Sequence, residues 1–324
     1  MPARPADMTR GDLEPAVRLE DFTIRYGSFT AVDGAAFTMP RGACGLLGKN
    51  GAGKSSILKA VLGLIRPSRG RARVLGMDAL GEGRRLRDRI GYMAEKETIF
   101  PGLSGLEAVI LAGRLSGLPP LEARQRAHEV LFLVRIEEER YRKVETYSAG
   151  MKQKIKLAQA LVHDPELLFL DEPTNGLDPG GRSEILDLLK DLVRKKGKSL
   201  ILSSHILPDV EKLCAHVVLI DGGKVLREGS IAEMTGAAGR LYRLRLRGGS
   251  EVEPALAAEG WLREDLGNGE YRVFLPPEVP AERLFELALA NGAQVRLLEL
   301  ERKSLADVFL DAVRGAEVSK ERRA

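Results

Sequence analysis

The stretch Gly48-Lys49-Asn50-Gly51-Ala52-Gly53-Lys54-Ser55 constrains this chain more than any other feature. It is a Gly-x-x-x-x-Gly-Lys-Ser loop, placed between an apolar strand-like run, Ala43-Cys44-Gly45-Leu46-Leu47, and a helix-like run from Ser55 to Leu64. That context separates a phosphate cradle from an ordinary Gly-rich turn. Glycines let successive backbone N–H groups converge on one point, and the helix that follows adds its positive N-terminal end. Lys54 contributes a full charge to the β- and γ-phosphates, and the Ser55 hydroxyl is placed to ligate Mg²⁺. The predicted nucleotide contacts are therefore Gly48, Asn50, Gly51, Ala52, Gly53, Lys54, Ser55 and Ser56, and the expected ligand is a nucleoside triphosphate.

The 324 residues suffice for one large α/β domain and a small second one. A net charge of +4 permits contact with acidic lipid or nucleic acid but implies neither. The only two cysteines, Cys44 in the strand entering the loop and Cys214 in an amphipathic helix, read as small core residues, a pattern that suits a reducing compartment. Residues 1–16 mix Pro, Arg, Asp and Ala without an apolar stretch; they are expected to be a disordered tail, neither signal peptide nor anchor. No apolar run approaches the roughly 18–20 residues that span a bilayer, so any membrane passage is expected from another chain.

Val17–Tyr26 and Phe29–Met39 read as strands joined at Gly27-Ser28. After the loop and its helix, a turn is expected at Arg66 to Gly70. A helical insert follows over about 97–150, with Leu106, Val109, Ile110 and Gly113 at helix spacing and a second helix around Leu121–Val134. Leu167-Leu168-Phe169-Leu170 is an aliphatic run suited to a strand covered on both faces. Ser199–Ser203 is a further strand, and Val217–Asp221 with Lys224–Glu228 flank Gly222-Gly223 as a hairpin. Beyond about Ser230 the character changes. Leu241–Arg247 alternates, with Tyr242, Leu244 and Leu246 on one face and Arg243, Arg245 and Arg247 on the other. A helix, two strands, a helix and a strand follow, a β-α-β-β-α-β order that predicts a small ferredoxin-like domain. Ser304 is the expected N-cap of a last helix with Leu305, Val308, Phe309 and Ala312 on one face. The domain boundaries read from these signals are 17–235 for the nucleotide domain, 236–315 for the small α+β domain, and 316–324 for a charged tail.

Asp171 and Glu172 end the Leu167–Leu170 strand. Alone, such a pair is equally a solvated turn. Beside a phosphate loop, Asp171 fits a carboxylate that holds Mg²⁺, and Glu172 one that orients and deprotonates an attacking water. At this point the sequence resembles the nucleotide-binding subunits of ABC transporters. The residues that carry the resemblance are Tyr147-Ser148-Ala149-Gly150-Met151-Lys152-Gln153 at the signature position, the Asp171-Glu172 strand, Asn175-Gly176-Leu177-Asp178-Pro179 at the D-loop, and Ser203-Ser204-His205 at the switch histidine. Tyr26 lies where the family has an aromatic that stacks on adenine. The resemblance covers Val17 to about Met234. It implies an α/β P-loop ATPase core with an antiparallel β subdomain and a helical insert. It further implies two ATP–Mg²⁺ held in a head-to-tail dimer, Lys54, Glu172 and His205 as catalytic residues, and Ser148, Ala149, Gly150 and Met151 serving the partner's ATP.

Two departures stand out. The signature reads Tyr-Ser-Ala-Gly-Met where the family has Leu-Ser-Gly-Gly-Gln, so the glutamine that could close a capping box on Ser148 is absent. The family's Q-loop glutamine falls on Glu95, a carboxylate that can bind Mg²⁺ together with Ser55 and Asp171 but repels the γ-phosphate unless a neighbour such as Lys96 offsets it. The resemblance implies an ATPase subunit on the cytoplasmic face of the membrane that drives a separate permease. The Leu305–Leu310 ending looks like the ATPases of type 2 exporters. Phe100, Pro101, Leu103 and Leu106 are candidates for receiving the permease, and Arg243, Arg245 and Arg247 for touching acidic lipid or for a solvated face. The competing class, an ABC ATPase acting on nucleic acid or ribosomes, is disfavoured by a single nucleotide domain, no heptad arm and no basic-aromatic stripe.

Overall fold

The computed structural model describes residues 14–96, 100–235, 240–249, 251–276, 278–300 and 304–321. The chain opens with β1 (Val17–Tyr26), β2 (Phe29–Met39), β3 (Ala43–Leu47) and α1 (Lys54–Val61), then β4 (Arg69–Val74), β5 (Met77–Asp78), α2 (Gly83–Arg87) and β6 (Ile90–Met93). The helical segment holds α3 (Gly105–Leu115) and α4 (Pro120–Leu133), and leads into α5 (Ala149–Leu161). There follow β7 (Leu167–Asp171), α6 (Pro179–Lys196), β8 (Ser199–Ser204), α7 (Leu207–Leu213), β9 (His216–Asp221) and β10 (Lys224–Ser230).

Two sheets result. One is four-stranded, in the order β2-β1-β4-β5, with each neighbouring pair antiparallel. The other runs β10-β9-β3-β8-β7-β6, and the pairs from β9 to β6 are parallel. Every residue of β3, β7 and β8 is buried, because helices cover both faces of a parallel sheet and leave aliphatic strands without a wet side. Helix α1 contacts β2 and β4 of the first sheet and β7 of the second. One apolar core accordingly joins Phe22 and Val32 to Ile57, Leu58, Phe169 and Ile201.

The strand starts are tied by charge. Glu166, just before β7, accepts from Arg89 Nε at 2.6 Å and Nη2 at 2.8 Å, and from Arg41 at 3.4 Å. These guanidinium bonds, Arg89 first, hold its carboxyl below the usual carboxylate range. A depressed folded pKa adds stability above the unfolded pKa of about 4.3 and loses it as pH falls through the folded value. Glu166→Gln is therefore expected to melt below wild type at pH 7, by about 1 kcal/mol or less because the group is half exposed, with the gap closing below about pH 4. A gap that stayed constant in melts from pH 7 to pH 3 would refute this.

Residues 1–13 lie outside the described ones, as do 97–99 of the expected insert. Ala16, the end of the expected disordered tail, is fully buried and its carbonyl accepts from Leu75 N at 3.0 Å. Cys44 and Cys214 are buried as expected, and burial pushes the Cys44 thiol up to about 12. Cys214 itself sits one residue past α7, in extended backbone, not inside the helix.

The chain divides into two compact units, one running to Gly229 and taking in the chain from Ala312, the other covering Ser230–Asp311. The second contains α8 (Ile231–Met234), β11 (Arg240–Arg247), α9 (Val252–Ala258), β12 (Leu262–Gly267), β13 (Glu270–Leu275), α10 (Glu282–Ala290) and β14 (Gln294–Leu300), and the start of α11 (Leu305–Glu321). Its sheet order, β12-β13-β11-β14, with the three neighbouring pairs antiparallel, is the ferredoxin-like arrangement. Leu244, Leu246, Leu256, Trp261 and Leu284 build its core. On the other face Arg243 and Arg245 both pair with Glu270. Glu270 thus offsets one of the two charges within the sheet and holds both guanidiniums against it. Ser304 caps α11 by accepting from Asp307 N at 3.2 Å, and residues 316–321, expected as tail, continue that helix.

Candidate functional site

Parallel strands aim their carboxyl ends the same way, and ligands bind where those ends open. Here β3 delivers the glycine loop, β6 the segment to Glu95, β7 Asp171 and Glu172, and β8 Ser203, Ser204 and His205. Gly53 is the N-cap of α1 with φ 105°, and a Cβ there would stand 2.7 Å from the Ala31 carbonyl oxygen. Only glycine takes that turn without strain. The buried Lys54 ammonium donates to Gly48 O at 2.7 Å and Lys49 O at 3.2 Å, and lies 3.7 Å from Glu172 Oε1.

Asp171 is buried and accepts from Ser203 Oγ at 2.8 Å. Glu172 adopts left-handed backbone, φ 49°, held by its N–H donating to Ser203 O at 2.9 Å. Strain of this kind costs on the order of 1–3 kcal/mol and persists where the surroundings enforce it. One carboxylate oxygen accepts from Ser204 Oγ at 3.4 Å and the other lies 2.9 Å from His205 Nδ1. A cleft of about 350 Å³ is lined by Tyr26, Asn50 to Ser56, Glu95, Glu172 and His205, together with Phe29, Ala31 and Asn175. Gly48 and Asp171 support it from below without lining it. Tyr26 donates its hydroxyl to Ser56 Oγ at 3.4 Å, and Phe29 is 62% exposed, so two rings flank the cleft at the Gly27-Ser28 turn. Sequence reading missed Phe29; an aromatic opening a strand immediately after that turn was the available signal.

The signature residues lie elsewhere. Ser148, Ala149, Gly150 and Met151 line a second cleft of about 470 Å³ with Gly176, Leu177 and Asp178. Ser148 caps α5, accepting from Met151 N at 3.3 Å, so the positive end of that helix opens into this cleft. Asp178 caps α6 through Gly181 N at 2.7 Å, with Pro179 at the first helical position. Between the two clefts, the buried Asp209 of α7 accepts from Thr174 Oγ1 at 2.6 Å and lies 3.8 Å from Arg182 Nε. That brace ties the D-loop segment to the helix after His205. It was not foreseen, because a carboxylate in a first helical turn is ordinary in a sequence.

Glu95 lines the first cleft, but the cation on its backbone is Lys156 of α5, whose Nζ donates to Glu95 O at 2.8 Å. Burial, with the charges of Asp171 and Glu95, pushes the Tyr92 hydroxyl beside this segment up to about 12. Tyr92, Met93, Phe100, Leu111, Leu115, Lys156 and Gln159 help line a third hollow of about 250 Å³ between the core and the helical segment. Of the residues expected there only Phe100 contributes. Leu103 and Leu106 are half-buried within the segment and Pro101 is exposed beside it.

The fold and loop together define a P-loop nucleotide-binding protein. Residues 32–175 match the family model described as ABC transporter. Over 296 residues, 88% of either chain, the protein is 35% identical to the daunorubicin/doxorubicin resistance ATP-binding protein DrrA of Streptomyces peucetius. It is 34% identical over 310 residues to the Nod factor export ATP-binding protein I of Rhizobium johnstonii, covering 94% of this chain and 97% of that one. The dimeric post-hydrolysis structure of the ATP-binding cassette MJ0796, bound to ADP and Pi, superposes with a TM-score of 0.60 at 25% identity, covering 66% of this chain and 98% of that one. The chain belongs to the ABC transporter family, as an ATP-binding subunit that hydrolyses ATP.

Proposed function

We propose that this protein is the ATPase of an export-type ABC transporter, working as a head-to-tail pair of nucleotide domains on a separate permease. The observation that carries this reading is the division of the motif residues between two clefts of one unit. The first has a phosphate loop, a carboxylate and a histidine but no signature; the second has a serine-capped helix end but no phosphate loop. Each is half of a site, and a second copy turned about a twofold axis completes both. The names of the relatives, which concern drug resistance and Nod factor export, support the direction. Among the described residues no helix is long and apolar enough to cross a membrane, so the permease supplies the passage. The hollow at Tyr92, Phe100 and Leu115 is the place for its docking segment.

In this reading Lys54 and the loop N–H groups hold the β- and γ-phosphates, and Tyr26 and Phe29 hold the base. Glu172, fixed between Ser204 and His205, orients a water toward the γ-phosphate and takes its proton. His205 keeps the water and the terminal phosphate in line. The partner's Ser148 and Gly150 close the far side of that phosphate with a helix N-terminus. Mg²⁺ fits the donor set: it needs only one or two protein oxygens beside phosphate and water, and Ser55 in the cleft and the buried Asp171 offer a hydroxyl and a carboxylate. When bound, the metal screens the triphosphate charge.

A Cβ added at Gly150 meets no atom within 4 Å in the single chain, and in the proposed pair a side chain there would lie in the closed interface. Gly150→Gln is therefore expected to fold and to bind a fluorescent ATP analogue like wild type. It should lose ATP-dependent dimerisation by about tenfold or more. Light scattering with ATP decides the matter, and an unchanged dimer would sink the pairing. Co-purification of a multi-spanning membrane protein from detergent extracts tests the permease; recovery of ribosomal protein or RNA instead would overturn transport.

A further inference from the structure

Lys156 is a lysine where the helix pattern calls for an apolar side chain. Its neighbours on α5, Ile155, Leu157, Ala158, Ala160 and Leu161, are buried, and Lys156 itself is 3% exposed. A buried ammonium is costly unless it is bonded, and this one spends a charge-assisted bond on the Glu95 carbonyl, 61 residues away, at 2.8 Å. Three features meet at this contact. Glu95 lines the nucleotide cleft. Lys156 lines the hollow with Tyr92, Met93 and Phe100. Its helix begins at Ser148, eight residues earlier, or about 12 Å along the axis, in the second cleft.

We propose that Lys156 is a positioning residue for ATP hydrolysis: its ammonium fastens the Glu95 segment to α5, so that Glu95 is presented to the nucleotide in step with the helix that carries Ser148. The family places a glutamine where this chain has Glu95; a carboxylate near a triphosphate must be held in one place, and a fixed backbone carbonyl provides that. Anything that shifts the hollow beside Lys156 then moves both the loop at one nucleotide and the helix end at the other. The inference rests on the proposed paired-site reading.

The test uses the full chain and a double-mutant cycle. Lys156→Met removes the donor and keeps the length; Lys156→Arg keeps a charged donor. Lys156→Met is expected to lower kcat about tenfold while the Kd for a fluorescent ATP analogue stays within about twofold, because the phosphate loop is untouched. Lys156→Arg should recover most of the loss. In a Glu95→Ala background the Met substitution should have no further effect, since Lys156 acts through the segment that presents that side chain. Additive losses in the cycle, or equal losses for Met and Arg, would overturn the proposal. If Lys156→Met does not fold, Lys156→Leu, which also removes the donor, enters the same cycle with the same two outcomes. The Gly150→Gln measurement separates the failures: unchanged ATP-dependent dimerisation in that variant would sink the paired-site reading, whereas its loss beside an additive cycle would sink only the role of Lys156.

Discussion

Glu172→Gln is expected to retain ATP and to lose hydrolysis by about 10²–10⁴-fold, equivalent to about 3–5 kcal/mol of barrier. The amide keeps the size of the carboxylate and can still accept from Ser204 Oγ, which lies 3.4 Å from the native side chain. The left-handed backbone is held by the N–H bond to Ser203 O, which the substitution does not touch. The amide cannot take a proton from water. Folding and nucleotide affinity should thus remain while the chemical step stalls, and the paired, ATP-loaded state should accumulate. Phosphate release under single-turnover conditions reads the chemistry, with light scattering as the readout for the pair. Turnover within about threefold of wild type would remove Glu172 from the role of base and leave it as one of the groups that merely hold Lys54 in place.

Gly91→Ala, a single added methyl group, is expected to destabilise the first unit by about 3 kcal/mol, at the upper end for overpacking. Gly91 lies in β6, where a Cβ would stand 2.2 Å from the Ala160 carbonyl oxygen, 2.6 Å from Leu168 Cδ2 and 3.0 Å from Pro165 Cγ. The first obstacle is backbone of α5, which cannot rotate away like the end of a side chain. Strand and helix must separate. The midpoint of urea unfolding should fall with an unchanged m-value, which identifies lost stability and not a changed unfolded state. Since β6 leads to Glu95 and α5 carries both Ser148 and Lys156, surviving activity should fall too. Gly150→Gln is the contrast: open space at the glycine, intact stability, loss only at the interface. A Gly91→Ala protein as stable as wild type would mean that β6 and α5 are not packed as closely as described.

Most of the site was legible because its residues sit in short, ordered strings. The loop from Gly48 to Ser55 and the Asp171-Glu172 pair each follow an aliphatic run, His205 follows Leu200-Ile201-Leu202 and two serines, and that local order survives into the fold. The contacts that join strings do not show in one dimension. Lys156 looks like one more cation in Lys152-Gln153-Lys154-Ile155-Lys156, and only burial sets it apart. Asp209 and Thr174 are 35 residues apart in the chain. The expected turn over Arg66 to Gly70 overlaps the first two residues of β4, and the rest of that strand carries no clear strand signal. In the sheet Arg69, Arg71 and Arg73 face out while Ala72 and Val74 are buried. The ferredoxin-like unit was readable from its β-α-β-β-α-β order together with the alternation of Leu241–Arg247, since an antiparallel strand with one wet face writes its period into the sequence.

The backbone at Glu172, with φ 49°, has a consequence for how such a sequence can change. Glycine would relax that conformation and no other residue would do so as well. At this one position the residue that best suits durability and the residue that best suits turnover are different amino acids. A population selected for heat resistance alone would be drawn away from glutamate here, trading its chemistry for ease of folding. In the proposed mechanism, every working copy of this ATPase would carry this small strain in its main chain at the residue that meets the attacking water.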